Sequence, residues 1–180
     1  MTLLDATSST DLATERAERL TTAGQAWSER IAADAANALL TYRVRGTGEG
    51  SVATRITAGK HEWVVDEPAA LAGDDAAPSP VEYALGALSS CQVVVYRLYA
   101  QALGIRLDEV KVDVEGDLDA RGLFGIDASV RPGFRDIRIT ITLEGPEPRE
   151  RYEELRAAVD AACPVLDLFA NATPVSARIA

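Results

Sequence analysis

The sequence predicts an α+β fold with a mostly antiparallel sheet and one long central helix that carries a cysteine. Three observations support this. Short alternating apolar and polar runs come in clusters, without the regular strand–helix alternation of a parallel sheet. The stretch PSPVEYALGALSSCQVVVYRLY, residues 78–99, opens on prolines and continues at helical apolar spacing, with Cys91 in its middle. The chain has 180 residues, enough for one domain with a real core.

Taken in order, residues 1–9 are polar and read as loose. From Thr10 to about Ala36 the pattern is helical, with Thr10 or Asp11 as N-cap and Leu12, Leu20, Trp27 and Ile31 as an apolar stripe. Gly24 is a point where this helix could divide. ALLTYRVRG and SVATRITAG, joined by GTGEG, read as a hairpin through the alternation of Leu40, Tyr42, Val44, Val52 and Ile56. KHEWVVDEP adds a third strand stopped by Pro68, and AALAGDDAAPSP is a loop of small residues, Asp and Pro. The long helix follows from about Val81 to Leu103 and ends at Gly104. Val110, Val112 and Val114 mark a strand, ARGLFGIDASVRPGF a long loop, and Ile137, Ile139, Ile141 and Leu143 the clearest strand. A helix with Tyr152, Leu155 and Val159 inward comes next, then a short helix from Cys163–Pro164 and a terminal strand, TPVSARIA. This organisation divides the chain into a helical extension, residues 1–37, and one domain, residues 38–180. The extension reads equally as a docking arm or as a surface helix over the core.

Composition excludes several functions. The net charge of −10 disfavours a nucleic-acid partner, whose phosphates need clustered Lys and Arg, and disfavours an anionic membrane surface. No apolar run reaches the ~18–20 residues of a membrane span, and the first twenty residues lack the basic and apolar parts of a secretory signal. A cytoplasmic location is expected. A zinc site needs three or four clustered ligands, but the chain has one histidine, His61, and two distant cysteines. His61 stands in an expected strand with no catalytic motif around it. GTGEG lacks the Lys and following helix of a phosphate loop, so it reads as a turn.

The thiols remain. Pro164 suits a first helical position, which puts Cys163 at the N-cap, near the positive end of the helix dipole. Cys91 shares its helix face with Ala84, Ala87, Leu88, Val94, Val95 and Leu98. Burial on such a stripe raises a thiol's pKa and makes it inert. For Cys91 to react, another segment must bring a positive charge, and Arg43, Arg45, Arg55 and Arg97 are the candidates. Core filler, structural bridge and redox pair all stay open, although a reducing compartment disfavours the permanent bridge.

PSPVEYALGALSSC resembles the segment leading to the reactive cysteine of the OsmC/Ohr family. HEWVVDEPAALAGDD, VEGDLDARGLFGIDASVRPGFRDIRITITLEG and AACPVLDLFANATPV are similar too, so the resemblance spans roughly residues 40–180. It implies an OsmC-like fold, an intertwined homodimer with sites at the interface, and thiol-dependent reduction of organic hydroperoxides in oxidative-stress defence. Cys91 stands at the attacking thiolate and Cys163 at the thiol that resolves its sulfenic acid as a disulfide. A dithiol such as dihydrolipoamide would regenerate the pair, with no metal and no bound cofactor.

Two positions depart from the family's peroxidases. There, an Arg on an early strand loop contacts the thiolate and a Glu in the helix lead-in holds that Arg. The nearest segment here, YRVRGTGEG, implies Arg45, with Arg43 and Arg55 behind it. The acid, Glu82, comes one residue later than the family's position, which here is Val81. Nine residues separate Glu82 from Cys91, about 13 Å along a straight helix and on opposite faces, so Glu82 acts through an arginine or simply favours the helix start. These departures keep a second reading in play. In it the protein binds an apolar small molecule or a thiol metabolite without efficient peroxidase activity.

Overall fold

The structure, a computed structural model, describes residues 9–179. It is an α+β fold with antiparallel pairing and, among the described residues, five α-helices. The order is α1 (Ser9–Ala33), β1 (Arg45–Glu49), β2 (Ala53–Ala58), β3 (His61–Val65), α2 (Pro80–Ala102), β4 (Glu109–Asp117), α3 (Ala120–Leu123), β5 (Asp136–Glu144), α4 (Arg149–Asp160) and α5 (Pro164–Ala170). The chain divides into two compact units: one of residues 9–39, Cys91–Val112 and 141–179, the other of Leu40–Ser90 and Asp113–Thr140.

The first unit holds the larger core. Val95, Tyr96 and Ala100 from α2 meet Ile105, Val110, Leu155, Val159 and Cys163, with Cys91, Tyr152 and Leu166 packed against them. Tyr96, Leu155 and Val159 are fully shielded from solvent. Helix α4 turns Tyr152, Leu155 and Val159 inward as its spacing predicts, because residues three and four apart share a helical face. Tyr152 also donates to the Arg106 carbonyl at 3.1 Å, and a side chain at Gly145 would collide with its hydroxyl. Helix α2 stops where Gly104 takes φ +62°, a left-handed conformation that glycine adopts without strain.

Helix α1 runs unbroken through Gly24 and already includes Thr10 and Asp11, so neither the expected division nor the expected caps occur. A single Gly costs a helix interior only about 1 kcal/mol, which the surrounding turns outweigh. The helix is tied down by Arg16, which donates to the Leu107 carbonyl at 3.1 Å, and by Gln101, which donates to Thr21 at 3.0 Å. Leu12, Trp27 and Ile31 of its apolar stripe are exposed, with the Arg30 guanidinium 4.9 Å above the Trp27 ring.

In the second unit β1, β2 and β3 form an antiparallel meander, with Gly46 opposite Ile56 and Ile56 opposite Trp63. The hairpin is present but shifted. The expected turn GTGE is strand β1, the turn falls at Gly50 with φ +56°, and Leu40, Tyr42 and Val44 stand exposed ahead of the strand. The glycines point to a turn, but pairing with β2, Gly46 to Ile56 and Gly48 to Thr54, extends the run into a strand. The Asp108 N–H bonds the Glu144 carbonyl and the Arg135 N–H bonds the Asp117 carbonyl, which makes β4 and β5 antiparallel. Val110, Val112, Val114 and the Ile137–Leu143 alternation turn inward as expected. ARGL, expected as loop, forms the single turn α3, capped by Asp119. TPVSARIA forms no strand among the described residues, and Val175 and Ile179 are exposed. An alternating segment becomes a strand only when an edge is present to pair with it.

Candidate functional site: two thiols against one another

The fold brings Cys91, at the middle of α2, and Cys163, at the N-cap of α5, together in the first unit, with their sulfurs 3.4 Å apart. Both are free thiols; Cys163 is buried and Cys91 half-buried. A disulfide needs about 2.05 Å, so closure requires an approach of only about 1.4 Å. Hydrophobic packing achieves this placement. Leu155 and Val159 of α4 seat its C-terminal end in the same core as Val95 and Tyr96, and the Cys163 N–H closes back onto the Val159 carbonyl at 2.9 Å.

Burial pushes the Cys91 thiol above its ordinary pKa, opposed by the Val165 backbone N–H, which donates to its sulfur, while the neighbouring Cys163 raises it further. The start of α5 therefore serves the other thiol than the one expected. Cys163 occupies the N-cap but its sulfur makes no capping bond, and the first-turn amide of Val165 points to Cys91 instead. No arginine is among the groups that shift Cys91.

Arg55 is held by Glu49 at 2.6 and 3.0 Å and by Glu62 at 2.7 Å, which raise its pKa through hydrogen bonds first and charge second. Arg43 is exposed, and Arg45 is exposed at the start of β1 opposite Thr57. Arg97 lies in the first unit, its pKa lowered by burial and by Arg16. Glu82 closes a capping box. It accepts the Ser79 N–H at 2.8 Å and the Ser79 hydroxyl at 2.6 Å, and these two bonds lower its pKa. His61 is exposed at the start of β3. The apolar stripe expected around Cys91 falls on two faces of α2, with Leu88 and Val95 buried and Val94 about half exposed.

Two further residues went unnoticed in the sequence. Gln92 and Tyr96 are fully buried on one face of α2, and neither the Gln92 amide nor the Tyr96 hydroxyl finds a hydrogen-bond partner among the described residues. Burial, followed by the charge of Asp160, pushes Tyr96 up to about 12. A glutamine inside the apolar run SSCQVVVY was the available signal.

The family model for OsmC-like protein matches residues 73–178, which include both thiols. The chain belongs to the OsmC-like family. Solved structures agree on the fold. An OsmC-like protein from Mycoplasma pneumoniae superposes with a TM-score of 0.64 at 16% identity, over 72% of this chain and 87% of that one. An organic hydroperoxide resistance protein from Legionella pneumophila gives 0.57 at 20% identity, over 73% and 90%. The organic hydroperoxide resistance protein OhrB of Bacillus subtilis gives 0.51 at 21% identity, over 73% and 91%. No curated protein matches the chain significantly. Helix α1 lies outside the residues that the OsmC-like family model matches. No described helix is long and apolar enough to cross a membrane.

Proposed function

We propose that this OsmC-like protein reduces organic hydroperoxides with its two thiols, as part of oxidative-stress defence. The observation that carries the reading is the 3.4 Å separation of the Cys91 and Cys163 sulfurs. The Cys91 thiolate attacks the distal peroxide oxygen, the O–O bond breaks, and the alkoxide leaves and takes a proton to become the alcohol. Cys91 is then a sulfenic acid. Cys163 attacks that sulfur, the S–OH bond breaks, and the hydroxyl departs as water with the Cys163 proton. The sum is two thiols and one hydroperoxide giving a disulfide, an alcohol and water. A dithiol reductant such as dihydrolipoamide returns the pair to thiols by exchange. The organic hydroperoxide resistance proteins among the structural neighbours support the substrate class.

A homodimer belongs to the proposal. Leu39, Tyr42 and Val44 before the first strand, Val94 and Leu98 on α2, and Val175 and Ile179 near the end are all large exposed apolar residues. Their number suits a surface covered by a second copy.

The reduced protein is mixed with one equivalent of cumene hydroperoxide, and free thiol and intact mass are followed over seconds. Loss of both thiols with a two-hydrogen mass decrease is expected. Cys163→Ser should trap the sulfenic acid, and Cys91→Ser should not react. A rate no faster than that of a free small thiol would overturn the proposal. Burial of Cys91, with no cation among the groups that shift it, favours in that event the second reading, an OsmC-like binding protein for an apolar small molecule or a thiol metabolite.

A further inference from the structure

The second unit contains an open cavity of about 330 Å³, lined by apolar residues that include Val52, Val65, Leu71 and Phe124 and by the consecutive acids Asp66 and Glu67. We infer that this cavity binds a small amphipathic amine, its apolar body against Val65, Leu71 and Phe124 and its ammonium at Glu67. No thiol lines the cavity, and the inference stands apart from the peroxidase reading.

Size is the first argument. The volume falls at the small end of the range for ligand pockets, and a mostly apolar lining with a few polar groups is their usual composition. The second argument is charge. Two acidic residues line the cavity and no Lys, Arg or His does. Asp66 is 2% exposed and accepts the backbone N–H groups of Asp74 and Ala76, each at 3.1 Å. Those bonds hold it ionised, its pKa lowered chiefly by the Ala76 amide. Glu67 has no ion-pair partner among the described residues. A protein with a net charge of −10 adds a long-range field of the same sign. The site repels carboxylates and phosphates and attracts a cation.

The third argument is that the rim is held in place. The loop after Asp66 winds back on itself, with Ala72 at φ +66° and Asp75 at φ +55°, left-handed conformations that non-glycine residues adopt at a cost. A side chain at Gly73 would collide with the Glu67 carbonyl. On the other side, α3 is fixed by Asp119, which caps it and holds the Arg121 guanidinium. This positions Leu123 and Phe124, each 59% exposed, at the mouth. Apolar groups that a fold holds at a cavity mouth are available to a ligand without prior rearrangement.

The test uses the full chain, ¹⁵N-labelled and titrated at pH 7 with benzylamine, benzyl alcohol and benzoate. Benzylamine should shift the amides of residues 65–76 and 122–125 saturably and bind at least tenfold more tightly than benzyl alcohol, with no saturable shift from benzoate. Glu67→Gln should reduce the amine's affinity to that of the alcohol, and Phe124→Ala should weaken both. Equal binding of amine and alcohol, unchanged by Glu67→Gln, would overturn the assignment. So would a lack of shifts with all three, or shifts that depend on protein concentration alone, which would mark the face as covered by a second copy.

Discussion

The two compact units treat their polar groups in opposite ways. In the second, the charged candidates Arg55 and Glu82, like the buried Asp66, are each satisfied by near neighbours: Arg55 between two glutamates, Asp66 inside a loop of amides, Glu82 on its own helix cap. In the first, the thiols share an apolar core with Tyr96, and the buried polar atoms of Tyr96 and of Gln92 on the same helix have no partner among the described residues. Residue type marked Arg55 and Glu82 as candidates, and each already has partners of its own, whereas Arg43 and Arg45 stand exposed. The cysteines gain their significance from packing alone.

The largest expected consequence falls on that packing. Leu155 is fully buried in the core that includes Cys163 and that Cys91 packs against, so Leu155→Ala should cost about 2–5 kcal/mol in urea unfolding. It should also slow disulfide formation by hydroperoxide, because α4 seats Cys163. A variant that unfolds as wild type but still loses disulfide formation would show that the site depends on side-chain placement more than on core stability. A variant that loses neither would break the comparison.

A smaller effect concerns acidity. With burial holding the Cys91 thiol above its ordinary pKa, alkylation of Cys91 by iodoacetamide in Cys163→Ser should rise about tenfold per pH unit from 7 to 8. No plateau should appear below the ordinary thiol pKa. Arg45→Ala and Arg55→Ala should leave that profile within twofold. A plateau below pH 8, or a rate that falls severalfold in Arg45→Ala, would mean that a guanidinium reaches the thiol after all.

Much of the fold was legible because periodicity is a property of the chain itself. Helix α4 and strands β4 and β5 followed their patterns, and Gly104 ended α2 close to where it was expected. The misses share a cause. Residues 40–44 and TPVSARIA carry strand alternation, yet a strand needs an edge to pair with, and periodicity does not reveal whether that edge exists. The Cys-Pro start of α5 was read correctly as a helix start, but which sulfur its amides face depends on how α2 packs, which no local pattern encodes. The cap at Glu82 was partly visible: Ser79 three residues earlier is a capping-box signature.

That capping box supports the smallest prediction. Ser79→Ala removes the hydroxyl that donates to Glu82 at 2.6 Å, and should cost about 1 kcal/mol at pH 7. Its pH dependence has a definite sign. The Glu82 carboxyl is held below its ordinary pKa by the Ser79 hydroxyl and amide, so its contribution is complete above the unfolded carboxyl's pKa and lost as pH falls through the lower folded value. The stability gap between wild type and Ser79→Ala, read from urea midpoints, should therefore shrink through the acid range. If the gap persists undiminished in acid, the hydroxyl matters as the acceptor of the Glu82 N–H, at 3.4 Å, and the carboxylate is free for another partner. Glu82 would then regain a claim to an arginine, and the contrast between a self-satisfied lead-in and a thiol pair set in apolar packing would weaken.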